Sequence, residues 1–110
     1  MNPVPTLLQL HAVLVEGPSM APTLKHGDML LVRPVPPHGG RAVRPGDVVV
    51  ARFLSRPDLL VVKRAIRPHG EGWWIEGDNE FATDDSRTYG VAKVVGRVVC
   101  RYWPHPRLIK

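Results

Sequence analysis

Pro45-Gly46-Asp47-Val48-Val49-Val50-Ala51 joins a turn signal directly to an apolar run rich in β-branched residues. Proline presets the backbone of a turn, and the glycine after it accepts conformations that other residues avoid. Three valines in a row then favour a buried, pleated strand over a helix. The same punctuation recurs on both sides of this stretch. Upstream, Asp28 to Val35 reads as a strand closed by Pro34, Pro36 and Pro37, and the segment from Pro36 to Pro45, with Gly39-Gly40 inside it, reads as a loop. Further back, an N-terminal arm (residues 1–11) leads into a short strand around Ala12 to Glu16, which Gly17-Pro18 breaks. Downstream, Arg56-Pro57-Asp58 reads as a turn before a strand from Leu59 to Arg67. Pro68 to Gly72 reads as another turn, followed by a short strand from Trp73 to Glu76. Gly77 to Gly90 is polar and irregular, and Ala92 to Trp103 is a long, valine-rich terminal strand.

Twelve prolines and ten glycines in 110 residues cut the chain into short pieces, and no window carries the helical period. The expectation is an all-β fold: one small domain spanning residues 1–110, built as an antiparallel barrel or sandwich-like sheet. A composition of 44% hydrophobic and 23% charged residues suits a folded chain with one modest core. The long irregular segment from Gly77 to Gly90 has no structural purpose visible in the sequence, and such loops are more often functional than idle.

Fifteen Lys and Arg against ten Asp and Glu give a net charge of +5. The basic residues Arg33, Arg41, Arg44, Arg52, Arg64 and Arg97 fall singly along apparent strands. Scattered charge serves solubility, so no nucleic-acid partner is expected. Cys100 is the sole cysteine, which excludes an intramolecular disulfide, and its place in Val98-Val99-Cys100 reads as core packing. The apolar run from Leu7 to Val15 contains Gln9 and His11 and falls well short of the roughly 20 residues that cross a bilayer. No basic stretch precedes it, as a secretory leader would require. The sequence therefore predicts a soluble, cytoplasmic protein without an integral membrane anchor. No metal-ligand spacing is present, so neither a metal nor another cofactor is expected.

Chemistry concentrates in three segments. They are Gly17-Pro18-Ser19-Met20-Ala21-Pro22-Thr23-Leu24 with Gly27-Asp28, then Val61-Val62-Lys63-Arg64, then Gly77-Asp78-Asn79 through Asp85-Ser86-Arg87. Ser19 sits in a restrained, proline-flanked turn that fixes the direction of its hydroxyl. A serine hydroxyl attacks only when a neighbouring base removes its proton. The five histidines lie mostly in or beside turns and form no triad pattern. Lys63 is the alternative, because burial disfavours an ammonium and lowers the pKa of the amine toward the range useful to a general base. Taken singly, a serine in a turn and a lysine in a strand are ordinary structural residues; the three segments in order give them weight. Trp73-Trp74, which resembles a binding platform, reads more simply as one ring in the core and one outside it, since strand neighbours face opposite ways.

In that order, the segments resemble the boxes of the type I signal peptidase family, Ser-Lys peptidases that remove leader peptides from precursor proteins. The resemblance covers roughly Val15 to Val99 and implies the all-β signal peptidase catalytic fold. It implies Ser19 as nucleophile and Lys63 as general base, with the Ser19 backbone N–H donating to the oxyanion. Some members carry a second, side-chain donor two positions before the nucleophile; here that position is Gly17. Thr83 stands where the family often has a hydroxyl that orients the lysine. Asp85 and Arg87 match an ion pair that braces the loop, and Asp78 and Asn79 match residues that shape the turn beside the lysine. Met20, next to the serine, reads either as part of the substrate cleft or as core packing. The compact chain and its ending Arg101-Tyr102-Trp103-Pro104 are most similar to nickel-type superoxide dismutase maturation proteases, which implies a propeptide-bearing precursor as partner. A general leader peptidase acting on secretory preproteins is the alternative, and a non-catalytic peptide-binding module is the alternative of another class. LexA-type repressors also use Ser-Lys dyads but carry a helix-turn-helix, for which this sequence offers no helical region.

Overall fold

A computed structural model describes residues 10–37 and 40–109. Seven strands run through it: β1 (His11–Leu14), β2 (Met29–Pro34), β3 (Val48–Phe53), β4 (Arg56–His69), β5 (Gly72–Glu76), β6 (Ala92–Trp103) and β7 (Arg107–Leu108). One short helix, α1 (Ser86–Tyr89), precedes β6. All pairings are antiparallel, in the order β1-β2-β6-β3-β4-β5, with β7 added to β6. A further contact between β5 and β6, through Trp73 opposite Ala92, closes β6, β3, β4 and β5 into a ring. The fold is thus all-β and barrel-like, as the strand spacing predicts.

The valine run lies at its centre. β3 is flanked on both edges, by β4 and β6, and feeds both faces of the sheet. Val48 and Val50 enter one core with Met20, Leu24, Leu30, Val32 and Val98. Val49, Ala51 and Phe53 enter the other with Ala65, Ile75 and Ala92. Burial on both faces explains why this strand reads as an unbroken apolar run, and each fully buried valine contributes about 1.5–3 kcal/mol. Trp73 packs on the second core, whereas Trp74 stacks under Arg67 at 4.9 Å and donates to Glu76, so the two rings divide between faces.

Several sequence expectations need correction. Arg56-Pro57-Asp58 is not the turn: the chain reverses at Leu54-Ser55, and these residues already belong to β4. Pro57 is tolerated because pairing jumps from Arg52 opposite Leu60 to Phe53 opposite Arg56, leaving the proline in a bulge with no ladder bond to donate. Likewise β4 continues through Pro68, which sits opposite Trp73, and the turn shrinks to Gly70-Glu71. The segment from Gly77 to Gly90 contains α1, capped by the Asp85 carboxylate accepting from Arg87 N. Cys100 is only half-buried. Most of the N-terminal arm, and Gly39 of the long loop, lie outside the described residues.

Candidate active site

Ser19 is carried by a turn that hangs from the first core. Ala21 N donates to Pro18 O at 3.0 Å and Leu24 N to Met20 O at 2.9 Å, while the Met20 and Leu24 side chains are fully buried beneath it. Met20 therefore both fills the core and touches the cleft described below. Gly17 takes a positive φ of 80°, a region favouring glycine, and its N–H donates to His26 Nδ1 at 2.9 Å. Asp28, buried, closes the far end of the segment by accepting from Lys25 N and pairing with Arg101 at 3.4 Å.

The third segment is packed directly against this turn. Asn79 N donates to Ser19 O at 2.9 Å, and Asn79 Nδ2 to Pro18 O at 3.0 Å. Gly77 approaches so closely that a Cβ there would collide with the Ser19 carbonyl oxygen. Asp78 accepts from Thr23 Oγ1 at 2.6 Å and forms a two-pronged pair with Arg64 at 2.6 and 3.1 Å. Burial works to raise the Asp78 pKa, but Arg64 and Thr23 outweigh it and hold the carboxyl below its usual value. One carboxylate so links all three segments. Asp85, with no side-chain exposure, accepts from Gly77 N at 2.9 Å and from Arg87 at 2.7 and 3.0 Å. Its pKa is also depressed: burial opposes, and Arg87 and the Gly77 N–H prevail.

Lys63 lies on β4 opposite Val49 and is 3% exposed. Burial pushes its pKa down; Asp85 and Asp84 pull it back up, and Arg87 pushes it down again, leaving it below the ordinary lysine value. Among the described residues no hydrogen bond or ion pair engages its amine or the Ser19 hydroxyl. Ser19 and Lys63 line one cleft of about 680 Å³. Its walls are β1, from Ala12 to Leu14, and β4, from Leu59 to Val62, with Phe53, Met20 and Tyr89 also lining it. Both walls present strand edges with no partner among the described residues, since β1 pairs only with β2 and β5 joins β4 only from Arg64 onward. An extended peptide laid between them can hydrogen-bond to both. The Ser19 N–H donates to no described residue, so it is free to receive a developing oxyanion, whereas the Gly17 N–H is already engaged.

Among the described residues, no hydrogen bond joins the Thr83 hydroxyl to Lys63. Thr83 is exposed, its carbonyl accepts from Asp85 N and Thr88 Oγ1, and its neighbours Ala82 and Asp84 line the cleft in its stead. Thr23, Arg64 and Asp28 act as braces that sequence reasoning left unassigned, although their places inside the three segments were a signal for them. The cleft walls left no motif in the sequence, because their backbone edges supply the polar groups.

The profile of the Peptidase S24-like family matches residues 5–99. Mitochondrial inner membrane protease subunit 1 of Xenopus tropicalis is 31% identical over 115 residues, covering 84% of this chain and 68% of that protein. The human subunit 1 is 29% identical, with 84% and 69% covered. The subunit 1 of Schizosaccharomyces pombe is 31% identical over 125 residues, with 89% and 80% covered.

Proposed function

The chain belongs to the Peptidase S24-like family and is a serine-type peptidase of the signal peptidase I-like kind, and from that premise we propose that Ser19 and Lys63 are its catalytic dyad. The observation that carries the reading is a buried lysine without an ionic partner among the described residues, sharing one cleft with a braced serine. Neutral Lys63 removes the Ser19 proton as Oγ attacks the scissile carbonyl carbon. The carbonyl oxygen becomes an oxyanion held by the Ser19 N–H. Collapse breaks the C–N bond, and the Lys63 ammonium returns its proton to the leaving amine. Water, deprotonated by Lys63, then attacks the ester carbonyl; the C–Oγ bond breaks, and the Lys63 ammonium returns the proton to Ser19 Oγ.

The substrate class is a precursor protein whose N-terminal leader or propeptide enters the cleft in extended form. The family and the inner membrane proteases among its relatives support leader processing. Those relatives are named as subunits, which supports this chain acting within an assembly and beside a membrane. No helix among the described residues is long and apolar enough to cross one. Maturation of a nickel-type superoxide dismutase is the narrower proposal. It rests on the Arg101-Tyr102-Trp103-Pro104 ending and receives no weight from the relatives, which are named for a different protease.

Purified protein incubated with such a precursor yields a single shortened product. Ser19→Ala and Lys63→Ala each lower the rate by about a thousandfold or more, as loss of a dyad member does elsewhere. Cleavage by both variants at the wild-type rate removes the dyad assignment.

A further inference from the structure

The arginines that look scattered in the sequence are gathered by the fold. Arg33 on β2 and Arg97 on β6 are directly opposite one another in the ladder. Val49 on β3 and Lys63 on β4 continue the same row, so Arg97 stands two strands and Arg33 three strands away from Lys63. Like charges facing each other across a ladder repel. Two of their donors are also unsatisfied: Arg33 Nε and Arg97 Nε are both buried and make no hydrogen bond among the described residues. A buried donor left unsatisfied is costly, and two adjacent ones are rare in a native fold.

Among the described residues, no ion pair joins an acid to Arg33 or Arg97. Arg41 and Arg44 come from the segment before β3, and both add positive field at Arg97. The acid acting there, Asp47, is already held by Arg41 through two contacts of 2.8 Å and by Arg44 N at 2.9 Å. Burial, then Arg41, and further Arg33 and Arg44 lower the Arg97 pKa against the pull of Asp47. Arginine keeps its proton regardless. The remaining charge is thus permanent, partly buried and carried by two residues directly opposite in the ladder. None of the four arginines lines the cleft that holds Ser19 and Lys63.

We propose that Arg33 and Arg97, flanked by Arg41 and Arg44, form a binding site for a phosphate-class oxyanion. Guanidinium forks match phosphate oxygens two at a time, and one bound anion would satisfy both orphaned Nε–H donors while cancelling the repulsion across the ladder. The phosphate is carried either by a small soluble molecule or by a lipid headgroup.

Both sources are tested on the full chain bearing Ser19→Ala, so binding is read independently of any peptidase activity. Calorimetric titration with inorganic phosphate, at ionic strength held constant with chloride, reports the soluble source. Co-sedimentation with phosphatidylcholine vesicles, with and without phosphatidic acid, reports the lipid source. Saturable binding in either arm supports the site and names its source. Arg33→Gln and Arg97→Gln then weaken it by roughly ten- to a hundredfold. Lys93→Gln, an equal loss of charge at an exposed position, leaves affinity within about twofold. In chloride alone Arg97→Gln melts at or above the wild-type temperature, because it relieves repulsion. If it melts lower, Arg97→Lys replaces it: charge is kept, the fork is lost, and affinity still falls severalfold. Absence of saturable binding in both arms overturns the proposal, and so does an equal loss in Lys93→Gln, which marks diffuse attraction.

Discussion

As the proposed general base, Lys63 concentrates the conflict between stability and activity in one side chain. Its folded pKa lies below that of the open chain, so the buried ammonium destabilises the fold at neutral pH, and the penalty fades as pH rises through the folded value. Lys63→Met fills the same space without charge. It should raise the melting temperature at pH 7 by about 4 °C or more, the equivalent of roughly 1 kcal/mol, while abolishing cleavage. Calorimetric scans at pH 7 and pH 10 test this, the gain being smaller at the higher pH. The same pKa sets the activity profile. Cleavage should rise with pH along a single ionisation whose midpoint lies below the ordinary lysine value of about 10.4. Asp84 pulls that midpoint upward, so Asp84→Asn moves the rising limb of kcat/KM to lower pH. A limb that stays in place would detach Asp84 from the lysine. Gly77 is constrained by contact rather than charge. Gly77→Ala drives a methyl group into the Ser19 carbonyl, costing about 1–3 kcal/mol in urea unfolding and lowering the cleavage rate by displacing the nucleophile.

At the scale of elements, the loop from Gly77 to Gly90 is stapled at both ends by carboxylates. Asp78 holds its start to the serine turn and to β4, and Asp85 holds Gly77 while capping α1. Both carboxyls bind protons less readily in the fold than in the open chain. Their stabilisation is complete above the unfolded value, near 3.9, and disappears as pH falls through the lower folded values. Asp85→Asn should cost about 1–3 kcal/mol near neutrality and flatten the loss of stability below pH 4, measured by urea unfolding across pH. Boundaries were legible where chemistry was local. Ala92 to Trp103 is read correctly from its valines, and Val48 from the turn before it. Pro57 and Pro68 misled because a bulge and an unclaimed edge excuse a proline inside a strand, and neither condition is visible from neighbours in sequence.

Across the whole molecule, the three segments that carry the proposed dyad were legible because they kept their order. The all-β architecture was legible because turn residues recur between apolar runs. The exposure of Thr83 was not, since it depends on how the loop meets the barrel, and the gathering of Arg33, Arg97, Arg41 and Arg44 depends on strand order. The braces on Ser19 carry one more consequence, which concerns time. A chain synthesised from its N-terminus releases Ser19 first, Lys63 later, and Gly77, Asn79 and Asp85 later still. The residues of the proposed dyad therefore emerge before the groups that hold them in register. On the proposed dyad, a nascent chain thus carries both halves of the chemistry before the contacts that hold Ser19 in place can form, and the site is complete only once Asp85 has emerged.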